Sequence, residues 1–193
     1  MRSGQLISGI LVILLMACAA ATPNLKRSYV LSEASVNGVV IGTITSSGQL
    51  VDYRILYRGI GGGAKGYFRL LSDDPSLNGA PIAAELPAGD YEIYDWRIYW
   101  PRTSSETVET LPTAPFSIPF HVAPGQAVYI GNCEFQVGAL VATCADQVER
   151  DLMEFEAFYP VLRKAVTVPQ IPRGQLYKSD RYETKVRHPP EEY

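Results

Sequence analysis

The stretch CEFQVGALVATC, residues 133–144, places two cysteines at the ends of a predicted β-hairpin. Gly138 and Ala139 suit a two-residue turn of type II′, which takes glycine at its first position. The cross-strand pairs in this register are Val137–Leu140, Phe135–Ala142 and Cys133–Cys144. Because these pairs share one face, the two sulfurs lie opposite each other, and the hairpin predicts a Cys133–Cys144 disulfide. The alternatives are two buried thiols or a different register. No histidine or third cysteine lies nearby in sequence, so no metal site is predicted here.

Short segments rich in Val, Ile, Tyr and Thr extend from this hairpin along the chain. Gly, Pro, Asn, Asp and Ser separate them, and this pattern predicts an all-β fold, a sandwich or barrel of antiparallel strands. We predict strands near residues 29–31, 39–45, 51–57, 67–71, 82–86, 91–100, 116–122, 127–135 and 139–144.

The predicted strand YEIYDWRIYW, residues 91–100, carries aromatic side chains on both of its faces. Strict alternation would place Tyr94, Trp96 and Trp100 on one side and Tyr91 and Tyr99 on the other. A strand that is apolar on both faces is central in its sheet or contains a β-bulge that exchanges its faces. Aromatic residues in strands mostly belong to the core. The alternative is a platform for carbohydrate or peptidoglycan, formed by Tyr94, Trp96, Tyr99 and Trp100.

After the hairpin, the apolar spacing changes from that of strands to that of a helix. Four apolar residues recur at steps of four, three and four: Val148, Leu152, Phe155 and Tyr159. This spacing predicts a helix over residues 146–159 with one apolar face. Asp146 and Glu149 have the spacing of a capping box, and Pro160 ends the helix. We expect the helix to pack against a sheet, and the alternative is that it binds a partner.

Three other segments lack strong periodicity. The glycine-dense stretch 59–66 predicts a flexible hairpin connection, and it does not contain the phosphate-loop pattern. Residues 101–115 are polar and predict an exposed loop. Residues 163–193 contain four prolines and seven basic side chains. This composition predicts an extended or disordered tail that orders on a partner.

The first residues have the layout of a secretory signal: Arg2, an apolar run over residues 10–16, and then small residues. The run is shorter than the roughly 20 residues that cross a bilayer core. Leu15-Met16-Ala17-Cys18 resembles a bacterial lipobox, although Met16 is not the commonest type at its position. The resemblance implies a signal peptide over 1–17, acyl chains on Cys18, and a lipidated tether over 18–28.

Ala19 is not the aspartate that retains lipoproteins in the inner membrane, so the same resemblance implies an outer-membrane anchor in a two-membrane bacterium. An oxidising periplasm would permit the disulfide. The alternative is cleavage at an Ala-x-Ala site such as 19–21, which discards Cys18 and leaves a soluble secreted domain. A buried core helix is the remaining interpretation of the apolar run.

LPAGDYEI, residues 86–93, resembles the Leu-Pro-x-Gly-x-Tyr turn and strand of prealbumin-like sandwich domains, the carboxypeptidase regulatory-like group. FHVAPGQAVYIG, residues 120–131, is similar to a strand pair in bacterial lipoproteins of that build, as are Glu149–Leu152 and Tyr159-Pro160 to their helix. The resemblance covers roughly residues 38–162 and implies an antiparallel sandwich of immunoglobulin or prealbumin type on a lipid tether, and we predict that this domain spans 29–162. It implies no catalytic residues.

Composition narrows the function further. The chain has 17 basic and 20 acidic residues, a net charge of −3, and no basic stripe for nucleic acid. Neither His121 nor His188 has a metal-ligand partner at local spacing, and no Gly-x-Ser-x-Gly elbow occurs. We therefore expect no enzyme, metal or cofactor. The prediction is a non-catalytic, membrane-anchored envelope module, structural or in protein assembly, which binds a partner through its C-terminal tail, the 101–115 loop or its sheet edges.

Overall fold

The structure, a computed structural model, describes residues 20–47, 52–71, 79–103, 106–136, 139, 141–159 and 167–187. These residues contain thirteen strands and one helix. In chain order they are β1 (Ala20–Ala21), β2 (Asn37–Ser46), β3 (Asp52–Gly59), β4 (Lys65–Leu71), β5 (Gly79–Pro87), β6 (Gly89–Pro101), β7 (Thr107–Pro112), β8 (Ile118–Val122), β9 (Ala127–Gln136), β10 (Val141–Ala145), α1 (Val148–Phe158), β11 (Thr167–Pro169), β12 (Leu176–Ser179) and β13 (Tyr182–Arg187).

The strands form two mixed sheets that enclose the main core. Sheet A has the order β1-β4-β3-β6-β7-β13, and β8 pairs with the first part of β6. Sheet B has the order β12-β10-β9-β2-β5, and β11 pairs with the first part of β9. Both sheets supply large, fully buried side chains to this core, among them Tyr53, Phe68, Trp96, Ile130 and Phe135. Burial of this apolar surface is the main force that holds the two sheets together.

The prediction of a mostly β fold is confirmed, but the sheets are not purely antiparallel. β1 runs parallel to β4, and β9 runs parallel to both β2 and β11. The longest parallel pairing sets Val39 beside Ala127. Parallel neighbours must come from segments that are separated along the chain, so local periodicity and turn residues do not report them.

The hairpin that follows β9 has the predicted register. Cys133 pairs with Cys144, and Phe135 pairs with Ala142. The two cysteines form a disulfide that is buried in the main core. Residues 137, 138 and 140 lie outside the described residues.

A second, smaller core lies on the outer side of sheet B. Its buried members are Val39, Ile41, Ala83, Ala127, Tyr129, Phe155 and Tyr159. α1 covers part of this face with its predicted apolar side, and the chain between Leu25 and Leu31 covers another part. The predicted strand at 29–31 is therefore a packed segment without strand pairing.

The start of α1 differs from the predicted capping box. Gln147 is the N-cap and makes no side-chain capping bond. The Asp146 carboxylate instead accepts a hydrogen bond from the Val148 N–H at 3.0 Å. A short side chain that bonds two residues ahead competes with the capping-box geometry, which needs its acceptor at the N-cap itself.

Residues 167–187 correct the prediction of a tail beyond residue 162. β11 pairs with β9, β12 adds to sheet B beside β10, and β13 adds to sheet A beside β7. The sandwich therefore continues past 162, and this part of the tail is extended and paired. The strands are only three to six residues long, too short for a clear period.

The predicted 101–115 loop also contains a strand. β7 pairs with β6 on one side and with β13 on the other. Its sequence is polar because Glu109 lies on the outer, polar side of sheet A, opposite Tyr99 in the register. The prediction of an exposed loop was therefore wrong for this segment, because its polar residues belong to a strand with one side turned away from the core.

The predicted tether is bound to the domain where the structure describes it. We call residues 20–31 the strap. The Thr22 N–H donates to the Tyr67 carbonyl at 2.9 Å, and the Leu25 N–H donates to the Ala83 carbonyl at 2.7 Å. The strap thus contacts an edge of each sheet.

Candidate functional site

Strand β6 contains a β-bulge, which was one of the two explanations for the aromatic residues on both faces of this strand. In the pairing of β3 with β6, Leu56 lies opposite Asp95 and the next residue, Tyr57, lies opposite Ile93. Tyr94 is therefore the extra residue of β6. A bulge exchanges the faces of the strand on its two sides. Four residues from both halves consequently face the main core: Tyr91, Ile93, Trp96 and Ile98.

This bulge separates the four residues of the predicted carbohydrate platform. Trp96 is 1% exposed and belongs to the core. Trp100 is partly buried against the same core. Tyr94 and Tyr99 lie on the opposite, outer side of sheet A with their neighbouring arginines. The structure therefore brings only two of the four together on a surface.

The outer side of sheet A carries charged and tyrosine side chains. In β3, alternation buries Tyr53, Ile55 and Tyr57 and turns Arg54 and Arg58 outward. No described element packs over this side. We call this surface the open face, and it consists of Asp52, Arg54, Arg58, Tyr67, Arg69, Glu92, Tyr94, Asp95, Arg97, Tyr99, Glu109 and Arg187.

Arg54 is the centre of the first cluster on the open face. Its guanidinium lies between two rings, 4.7 Å from the centroid of Tyr67 and 4.1 Å from that of Tyr99. It also donates from Nε to the Asp52 carboxylate at 2.9 Å, and Arg69 donates to the same carboxylate at 2.8 Å. These contacts fix the orientation of a flexible side chain, so the cluster is preorganised.

Glu109 is the centre of the second cluster, and its side chain is 4% exposed. The Tyr99 hydroxyl donates to Oε1 at 3.0 Å, and Arg97 Nε lies 3.1 Å from the same oxygen. Arg187 Nε donates to Oε2 at 2.7 Å. Burial opposes ionisation of Glu109, but hydrogen bonds from Arg187 and Tyr99 and the two arginine charges outweigh it. The pKa of Glu109 therefore lies below its usual value.

A third group lies where β3, β6 and the segment before β8 meet. Arg58 Nε donates to Glu92 at 2.7 Å, and Ser117 donates to the other carboxylate oxygen at 2.5 Å. The Arg58 guanidinium lies 4.6 Å from the Tyr94 ring centroid. The hydrogen bonds from Ser117 and Arg58 lower the pKa of Glu92. The carboxylate is therefore ionised at neutral pH and keeps the arginine in place.

The open face consists of carboxylates, arginines and tyrosines that pair with one another. Its carboxylates accept hydrogen bonds from arginines, and burial raises the pKa of the Asp95 carboxyl although Arg97 pairs with it. His121 Nδ1 lies 2.7 Å from Asp90, but both side chains are largely exposed. Among the described residues, no group of three or more His, Cys, Asp or Glu is placed to hold a metal ion.

Sequence patterns did not identify the buried carboxylate of α1. Asp151 is fully buried and accepts a hydrogen bond from the Tyr129 hydroxyl at 2.5 Å. Arg150 neutralises the same carboxylate from the side. Burial and the bond to Asp151 raise the pKa of Tyr129, which keeps the phenol protonated. The Tyr129–Asp151 pair joins α1 to sheet B. In the sequence, Asp151 resembles an ordinary exposed acid because it lies at a helix start near Asp146 and Glu149.

Cys18 and His188 lie outside the described residues. Among those described, no helix is long and apolar enough to cross a bilayer.

The described part of the chain thus defines a β-sandwich domain with one helix-covered face and one open, ion-paired face. Comparison with family models, with curated proteins and with solved structures found no match.

Proposed function

We propose that the chain is a non-catalytic module of the bacterial envelope, anchored by acyl chains on Cys18, that binds a protein partner through the open face. The sequence supports the anchor through Leu15–Cys18, and Ala19 favours the outer membrane. The proposal includes kinship with prealbumin-like domains, which the Leu86–Ile93 turn and strand suggest.

The observation that carries the binding surface is the contrast between the two outer sides. Sheet B is covered by α1 and the strap, whereas α1 makes its main contacts with β5 and β9 and none of comparable extent with a strand of sheet A within the described residues. Tyrosine and arginine are among the residue types enriched at the energetic centres of protein interfaces, while lysine is depleted from interfaces. The open face holds Arg54, Tyr67 and Tyr99 in one stack, so little side-chain entropy remains to be lost on binding.

We narrow the predicted binding of a partner through the C-terminal tail to strand β13. β13 is the edge strand of sheet A beside β7, and all six of its residues are exposed. Arg187 anchors it to Glu109 on the open face. A partner that binds the open face would therefore contact β13 as well, and β13 extends the surface through the edge that no described strand pairs with.

Site-specific photo-crosslinking in intact cells tests the proposal. A photoreactive amino acid at Tyr94 should give a discrete protein adduct, and Arg58→Glu in the same chain should abolish it. Met153, exposed on α1, is the matched control position and should give no such adduct. Identical adducts at both positions, or adducts indifferent to Arg58→Glu, would contradict the proposal.

The carbohydrate or peptidoglycan alternative has weaker support. Trp96 is buried, and guanidinium groups stack on Tyr94 and Tyr99, where a sugar ring would need to lie. Tryptophan fluorescence during titration with peptidoglycan fragments tests it, and a shift at millimolar ligand would revive it. The soluble secreted alternative predicts an intact mass that begins after Cys18 and carries no acyl chain.

A further inference from the structure

We infer that the end of the sandwich that contains the β3–β4 turn rests on the lipid surface; this inference depends on the proposed anchor at Cys18. The direction of β1 is the first observation. β1 runs parallel to β4, with Ala20 beside Gly66 and Ala21 beside Tyr67. The backbone therefore reaches Ala20 from the side where β4 begins. Cys18 is two positions before Ala20, and two residues span at most about 7 Å. An anchor at Cys18 would therefore hold the β3–β4 turn end of sheet A close to the lipid.

The β3–β4 turn itself has the chemistry of a membrane contact. Ile60, at its start, is 58% exposed. Gly61 and Gly62 follow with φ of 84° and 100°, and no atom lies within 4 Å of where their Cβ atoms would be. The turn thus projects into open space. Exposed Lys65 lies just behind it, across the strands from Arg58, whose charge is paired with Glu92. An apolar tip with a cation behind it suits the boundary between acyl chains and anionic headgroups.

A second exposed apolar residue belongs to the same end. Val36 is 79% exposed and directly precedes β2. Asn37 pairs with Pro87 at the end of β5, and the short turn to β6 leads to Asp90, whose carbonyl accepts from the Ile60 N–H at 2.8 Å. Val36 and Ile60 therefore mark one end of the domain. Asp90, paired with His121, and exposed Glu33 also lie there, so insertion of the two apolar side chains, rather than a broadly basic patch, defines the contact.

Spin labels on the acylated full-length chain test the inference. Ile60→Cys carries the label at the turn, and Val36→Cys gives a second position in case the first variant folds poorly. Met153→Cys is the control, because Met153 is 70% exposed and lies on α1, outside sheet B. The chain is reconstituted into vesicles of phosphatidylethanolamine and phosphatidylglycerol, and collision rates with oxygen and with a water-soluble nickel complex are measured.

Labels at residues 60 and 36 should lose nickel accessibility several-fold on vesicles and gain oxygen accessibility, while the label at 153 should not change. An acylated protein in which both turn-end labels stay in water overturns this inference and leaves the anchor intact. An intact mass without acyl chains on Cys18 overturns the inference and the anchor together.

Discussion

The outer sides of the two sheets differ in their chemistry and in what covers them. The outer side of sheet B is apolar and lies under α1 and the strap, and Val39, Ile41 and Tyr129 are buried there. The outer side of sheet A is polar, and its carboxylates and arginines neutralise each other beside water. The covered side contributes stability through apolar burial. On the open side the exposed ion pairs contribute little and the nearly buried Glu109 contributes more, and our proposal assigns recognition to this side.

The two sides also differ in sequence. β2 reads NGVVIGTITS and is buried along nearly all of its length, as is typical of a strand that is covered on both faces. β3 reads DYRILYRG and alternates between buried and outward residues. Continuous and alternating strands therefore identify which sheet has a cover. Four variants test whether stability follows the covered side and recognition the open one.

Phe155→Ala should have the largest effect on stability. Phe155 is buried between α1 and sheet B, and its ring stacks on Tyr159 at 6.1 Å between centroids. Truncating a buried phenylalanine typically costs about 3–5 kcal/mol of unfolding free energy, measured by chemical denaturation. Met153→Ala, on the exposed side of the same helix, is the control and should cost less than about 0.5 kcal/mol. Equal effects would show that α1 is not an integral cover.

Replacing both Cys133 and Cys144 by alanine should be the next largest change. The disulfide closes a short loop with a sequence separation of 11. Loss of such a crosslink costs about 2–3 kcal/mol by raising the entropy of the unfolded chain. Thermal unfolding of the wild type with and without reductant gives an independent comparison. Equal stability of the oxidised and reduced forms would contradict this expectation.

Glu109→Gln should destabilise the open side by about 1–2 kcal/mol at neutral pH, because it removes charge-assisted hydrogen bonds. The pKa of Glu109 is lower in the folded state, so its stabilising effect is present above the ordinary carboxylate range. The effect is lost as pH falls through the folded pKa.

The difference between wild type and Glu109→Gln should therefore shrink below about pH 4, as measured by denaturation at several pH values. Glu183→Gln, which removes an exposed partner of Lys185 on β13, is the control and should cost less than about 0.5 kcal/mol at neutral pH. A difference that stays constant down to about pH 3 would refute the role of Glu109 ionisation.

Arg54→Ala should have the smallest effect on stability, at most about 1 kcal/mol, because cation–π contacts near water are weak. Its effect on partner crosslinking should be much larger if the open face is the binding surface. Arg54→Lys keeps the charge but loses the planar stack between Tyr67 and Tyr99, and it should bind almost as poorly. Arg102→Ala, in an exposed pair with Glu106, is the control for both measurements.

Local patterns in the sequence predicted the local parts of this fold. The Cys133–Cys144 register followed from one two-residue turn, and the apolar side of α1 followed from its spacing. The bulge in β6 was foreseeable as a type of feature, but its position at Tyr94 depends on the register with β3. Buried partners such as Asp151 and Glu109 look like ordinary surface acids, because their burial depends on Tyr129 and Arg187, which are distant in sequence.

The C-terminal strands also could not be predicted from local sequence patterns. β13 contains alternating charges and a single aliphatic residue, which is a composition typical of disorder. Its order derives from β7, whose Thr107–Pro112 sequence carries no signal of this pairing. The paired carboxylates and arginines of the open face could be listed from the sequence but not assembled, because β3, β6, β7 and β13 meet only in the finished sheet.

The parallel pairing of β2 with β9 should also make folding slow. Thr45 and Asn132, hydrogen-bonded across these strands, are 87 residues apart in sequence. β11, β12 and β13 then close the sheets from the last part of the described chain. Folding that depends on such distant partners is slow, since loop closure precedes the gain from contacts. The central pairing of sheet B therefore cannot form in a nascent chain until β9 is complete at Gln136, about 90 residues after β2.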